Sequence, residues 1–178
     1  MPGFASITLR YGSRAARLLG LVLGFATLTG FADELAEART KANYLYNFTK
    51  FVEWPTPAAE ALHICVVGSE PVVNVLSDLA SRDTKGRLLQ IWSGVDDPHI
   101  CQIHYVERSV PELSALMREV GGNPVLTVSD ADGFAERGGA IGVYTENGQV
   151  KLAVNPATAQ KAQLKINAML MEIARIVR

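Results

Sequence analysis

The chain has 178 residues, 48% of them hydrophobic, with 17 basic and 18 acidic side chains. That length and apolar content fit one domain with a sizeable core. Charges are near balance and scattered, which excludes the basic stripe of a nucleic-acid-binding protein, so no nucleic acid is expected as a partner.

The first 32 residues read as a leader. Arg10, Arg14 and Arg17 precede an uncharged apolar run over 18–31 that ends in Gly30-Phe31-Ala32. A basic start, an apolar middle and a small-x-small end are those of a signal peptide, with cleavage expected after Ala32. The run is short and interrupted by Gly and Thr, unlike a spanning helix. Losing it removes three arginines and no acid, which moves the net charge from −1 to −4. Domain organisation is therefore a signal peptide over 1–32 and one domain over 33–178. An exported chain meets an oxidising compartment, where its two cysteines, Cys65 and Cys101, can pair.

Residues 33–39 lead into an aromatic helix over 41–55. Leu35, Ala38, Ala42, Leu45 and Val52 share one face by their spacing, and Tyr44, Phe48 and Phe51 repeat that spacing on the next face. A helix apolar over so much of its girth needs cover on two sides. Pro55 ends it and holds Trp54 at the exit. Trp54 reads either as a core plug or, with Phe51 and Glu53, as part of a partner surface, since Trp is enriched in interface hot spots.

After a Pro/Ala connector over 56–60, residues 62–67 read as a buried strand ended by Gly68. Ser69 caps a helix over 71–81. Gly86-Arg87 opens a strand over 88–92, a turn follows at Asp96-Asp97-Pro98, and 101–106 alternates as a third strand. Ser109 caps a helix over 111–120, closed by Gly121-Gly122. A short strand over 125–128 leads to a loop, and Asn147-Gly148 joins 140–145 to 150–154 as a hairpin. Ala159, Ala162, Ile166, Met169, Leu170, Ile173 and Val177 form one stripe, which predicts a long helix over 156–176. The expected fold class is α/β: three layers, a mainly parallel sheet with an antiparallel edge hairpin, and long N- and C-terminal helices.

No catalytic constellation emerges. Asp130-Ala131-Asp132-Gly133 starts like a calcium loop but lacks the later oxygen ligands. His99, Cys101 and His104 have zinc-like spacing, yet strand alternation sends Cys101 and His104 to opposite faces. Ser129-Asp130 is not on a nucleophile elbow and reads as a cap. Neither a metal nor a cofactor is expected, and no enzyme activity. In an open α/β sheet, a small ligand would use the crevice at the strand carboxyl ends, near Gly68, Ser69, Ser129 and Asp130.

Four segments in order carry a resemblance to a known family. They are Ala42-Asn43-Tyr44-Leu45-Tyr46-Asn47-Phe48-Thr49-Lys50-Phe51-Val52-Glu53-Trp54-Pro55, Ile64-Cys65-Val66-Val67-Gly68, Leu126-Thr127-Val128-Ser129-Asp130 with Gly133-Phe134-Ala135 and Gly138-Gly139, and the terminal Leu164-Lys165-Ile166. Together with Gly86-Arg87 and Cys101, they make the chain resemble the YfiR family of periplasmic repressors. A departure sits at Asn167-Ala168, where that family leads one to expect two serines. The resemblance implies an α/β domain in the periplasm that binds the periplasmic part of an inner-membrane diguanylate cyclase and holds it inactive. Cyclic di-GMP and biofilm formation then stay low until stress, or capture by an outer-membrane lipoprotein, releases the cyclase. A homodimer is a further expected arrangement. A periplasmic small-molecule binding domain is the competing reading.

The two cysteines are each expected on or beside a strand of one sheet. If the first and third strands are neighbours, as in a 2-1-3 order, their Cα atoms fall within the roughly 4.4–6.8 Å a disulfide allows.

Overall fold

The aromatic segment becomes the last turns of helix α1 (Ala15–Phe51), and a two-residue strand, β1 (Val52–Glu53), follows it. The computed structural model describes residues 15–55, 61–82 and 88–177, with side chains from residue 32 onward. Arg10 and Arg14 of the expected leader, the connector 56–60 and Gly86-Arg87 lie outside the described residues. Two compact units divide the chain, Met1–Ala36 and Glu37–Arg178, and the architecture below is that of the second.

In that unit, Ala38, Ala42, Leu45 and Phe48 of α1 are buried, at helical steps of three and four. Tyr44 and Phe51 pack half-buried against the same core. The buried stripe is thus wider than the face read from Ala38, Ala42 and Leu45, and it takes in an aromatic of the neighbouring face. The helix stops at Phe51, ahead of Pro55, because Val52 and Glu53 pair with another strand.

The remaining elements are β2 (Ala61–Val67), α2 (Glu70–Arg82), β3 (Leu88–Ser93), a 3-10 turn (Pro98–Ile100), β4 (Ile103–Val106), α3 (Leu113–Glu119) and β5 (Leu126–Ser129). After them come β6 (Ile141–Glu146), β7 (Gln149–Val154), α4 (Pro156–Lys161), β8 (Lys165–Ile166), α5 (Ala168–Ile173) and β9 (Arg175–Ile176). Seven strands form one sheet in the order β3-β2-β4-β5-β6-β7-β9. Strands β3 to β6 run parallel, β7 turns back antiparallel to β6, and β9 lies parallel to β7. All four positions of β4 and of β5 are buried, so the sheet centre is covered on both faces. The fold is the expected mostly parallel α/β arrangement. The hairpin turns at Asn147 and Gly148, both with positive φ, as a tight two-residue turn demands.

Two details of the expectation fall. β9 adds a strand outside β7, so the hairpin stands next to the sheet edge and not on it. The long C-terminal helix over 156–176 is absent, and two six-residue helices and two short strands replace it. Gln163 takes a left-handed φ of 59° just past α4 and halts it. Ile166 and Lys165 then pair with Val52 and Glu53, and the Asn167 N–H donates to the Phe51 carbonyl at 2.8 Å. The backbone groups that would have continued a helix are therefore engaged with the exit of α1. The Asn167 side chain accepts from the Met169 N–H and restarts the helix as α5. This gives Asn167 a local role where the family pattern led one to expect serine.

Candidate functional site

The exit of α1 carries the three residues read as a partner surface. Phe51 is half-buried, Glu53 is exposed opposite Lys165, and Trp54 is half-buried against the core. The Trp54 indole N–H donates to the Gln102 carbonyl at 3.2 Å. Trp54 thus faces inward with a satisfied polar tip. Phe51 faces differently. With Tyr44, Asn47, Phe48, Met169 and Ile173 it lines an apolar groove of about 180 Å³ between α1 and α5. Met169 and Ile173 stand 62% and 69% exposed on its rim.

Met169 and Ile173 escaped the sequence reading. They belong to the stripe that predicted an inward helix face, and of that stripe Ala159, Ala162, Leu170 and Val177 are indeed buried. The break at 163–167 resets the helical phase, so a stripe counted through it points Met169 and Ile173 outward. Their hydrophobic surface next to Phe51 is the signal that only the fold exposes.

Cys65 and Cys101 are joined by a disulfide with a Cα–Cα distance of 5.8 Å. The strand order β3-β2-β4 is the 2-1-3 arrangement that brings them together. Cys101, however, sits at the end of the 3-10 turn, and β4 starts only at Ile103, so the strand expected over 101–106 is two residues shorter. The bond thus ties the 94–102 connection to β2. Gln102 reinforces that tie, since its N–H donates to the His63 carbonyl and its side-chain oxygen accepts from the His63 N–H.

The four crevice residues lie at the ends of β2 and β5, with β4 between them. Gly68 has φ +91, and a Cβ there would meet Val110 Cγ2 at 2.6 Å. The Ser129 hydroxyl accepts from the Ala131 N–H at 3.1 Å. Asp130 is 5% exposed and accepts from Lys41 Nζ at 2.7 Å and from the Arg108 N–H at 2.8 Å. Its carboxylate is already held by internal cations, which leaves it little capacity for a ligand. Next to it Tyr105 is fully buried. Burial and the charges of Asp130 and Glu107 push that phenol well above its ordinary pKa. Among the described residues, no three His, Cys, Asp or Glu side chains gather as a metal site. No described helix is long and apolar enough to cross a membrane.

Comparison with known proteins gives one family and little else. No curated protein matches the chain. Among solved structures, it is similar to a 3-hydroxyacyl-CoA dehydrogenase from Archaeoglobus fulgidus at 14% identity and a TM-score of 0.36. That match covers 65% of this chain and 55% of the other, so the chain spans about half the length of the enzyme, and so slight a likeness carries no functional argument. The family model described as YfiR/HmsC-like matches residues 38–175, which contain the aromatic end of α1, the whole sheet save Ile176, and the groove beside Phe51. This chain belongs to the YfiR/HmsC-like family.

Proposed function

We propose that the chain is a periplasmic regulatory protein that binds the periplasmic part of an inner-membrane diguanylate cyclase and holds it inactive, keeping cyclic di-GMP and biofilm formation low. Family membership supports the regulatory reading. The observation that carries the binding role is the apolar groove beside Phe51, whose rim residues Met169 and Ile173 stand exposed. An exposed apolar patch of this kind marks a protein contact. Phe51 lines the groove wall, and the exposed Glu53 follows it two residues on as a polar neighbour. The reading assigns no catalysis. It includes export with cleavage after Ala32, and relief of repression when an outer-membrane lipoprotein captures the regulator. The disulfide accords with an oxidising compartment.

A small-molecule role at the strand carboxyl ends is the weaker reading, because Asp130 is already engaged with Lys41 and Arg108.

The test is reconstitution of the chain with the purified cyclase and measurement of cyclic di-GMP synthesis. Met169→Glu and Ile173→Glu should keep the melting temperature and lose repression. Full repression by both variants would overturn the groove as the contact. Failure of the unaltered chain to bind any diguanylate cyclase from the same envelope would overturn the partner class. Mass spectrometry of exported protein checks the cleavage, and a mass retaining residues 1–32 would contradict it.

A further inference from the structure

We propose that the cavity between α3 and the 130–140 loop binds a small amphipathic anion. Arg118 and Arg137 would hold its carboxylate or phosphate group, with Leu113, Met117 and Phe134 beneath its apolar body. The cavity measures about 460 Å³ and is lined by both arginines and those three apolar side chains, with the Ser114 hydroxyl on the α3 wall. Small-molecule sites run from about 300 to 1,000 Å³, so the space suits a metabolite-sized ligand.

Charge decides the ligand class. Arg82 sits on Asp78, Arg108 on Glu37 and Asp130, and Arg175 on Glu136. Arg118 and Arg137 have no such acid among the described residues, and no acidic side chain lines the cavity. Two uncompensated guanidinium groups at one concave site in a chain of net negative charge create a local anion trap. A guanidinium also matches the planar fork of a carboxylate or phosphate, which a lone ammonium does not.

The floor is built and not incidental. Phe134 is 4% exposed, and its ring lies so close over Gly139 that any Cβ there would overlap it. The loop is closed by Arg137 N–H to Gly133 O and Gly139 N–H to Phe134 O, each at 3.0 Å. The Thr158 hydroxyl bonds the Gly138 carbonyl and anchors the loop to α4. The backbone that carries Arg137 is therefore fixed, and its side chain lines the cavity together with Phe134. None of these residues lines the Phe51 groove, so this site and the proposed cyclase contact stand or fall separately.

Calorimetric titration of the full chain with phenyl phosphate, phenylacetate, inorganic phosphate and benzyl alcohol tests the site. At least one aromatic anion should bind about ten-fold tighter than inorganic phosphate and than benzyl alcohol, since charge and apolar contact both contribute. Arg118→Gln and Arg137→Gln should each weaken that binding about five-fold or more without moving the melting temperature. Arg82→Gln should leave it unchanged. Preference between the two aromatic anions identifies the head group. No saturable binding of either one up to about 5 mM would overturn the proposal. So would binding indifferent to both arginine variants, or association seen only with phosphatidylglycerol vesicles.

Discussion

Lys41 Nζ lies 2.7 Å from Asp130 Oδ2, and both side chains are almost wholly buried. The pair fastens α1 to the loop that leaves β5, across 89 residues of sequence. Glu37 shares Lys41 at 2.6 Å, and Arg108 shares Asp130 through its backbone N–H and its Nε at 3.3 Å. Removing one partner leaves the other buried charge with only its second neighbour, Glu37 for Lys41 or Arg108 for Asp130, at a cost of up to about 3 kcal/mol. Lys41→Met and Asp130→Asn should each lower stability by up to about 3 kcal/mol, and the double variant by clearly less than the sum. Denaturant melts of the four proteins check this. Burial works against the Lys41 charge, but hydrogen bonds to Asp130 and Glu37 outweigh it and raise the pKa above the usual lysine value. The folded pKa exceeds the unfolded one, so the contribution is complete below about pH 10.5 and fades as pH rises through the folded value.

Reduction of the Cys65–Cys101 bond should destabilise the domain. The residues lie 36 apart in sequence, and loop entropy assigns a bond of that span about 4 kcal/mol. Reductant should lower the melting temperature by several degrees, and the Cys65→Ala/Cys101→Ala protein should melt at that lower temperature and no longer respond to reductant. Thiol counting on the unfolded, unreduced protein should find none.

His104 should make the domain acid-sensitive. It is 2% exposed in β4, its Nε2 has no partner, and burial lowers its pKa to about 4. In the unfolded chain the imidazole takes its proton near pH 6.5. The folded value is the lower one, so its contribution is full above about pH 6.5 and is lost as pH falls towards 4. The loss should approach about 3 kcal/mol, and His104→Gln should flatten that part of a stability–pH curve.

Trp54 and Ile173 should fail differently. Trp54 packs on the core and bonds Gln102, so Trp54→Ala should cost about 3 kcal/mol with repression per folded molecule retained. Ile173 is 69% exposed, so Ile173→Glu should leave the melt intact and weaken partner binding. Chemical melts paired with the cyclase assay separate the two effects. A Trp54→Ala protein that melts normally but cannot repress would place Trp54 in the contact itself.

Local pattern alone determined the order of the larger elements between residues 61 and 154, but not β1 at Val52–Glu53 or the 3-10 turn ahead of β4. Short β-branched runs gave strands, and the apolar stripes between them gave helices, at nearly their final bounds, because each of these signals is carried by neighbours in sequence. The same holds for the Asn147-Gly148 turn, whose backbone demand few other residue pairs meet. The cap expected from Ser109 is not made, since its hydroxyl bonds Glu107 and α3 starts at Leu113. Only tertiary structure decided the rest. Residues 156–176 keep a helical stripe, yet β1 claims the backbone of Lys165 and Ile166, and pairing across the fold overrides local periodicity. That break turns Met169 and Ile173 outward beside Phe51 and so creates the groove. Lys41 finds Asp130, and Arg118 meets Arg137 at one cavity, through the placement of α1, α3 and the 130–140 loop around the sheet. Periodicity reports which way a residue points from its own element. What it then faces depends on which elements pack together, and that is settled by the whole core at once.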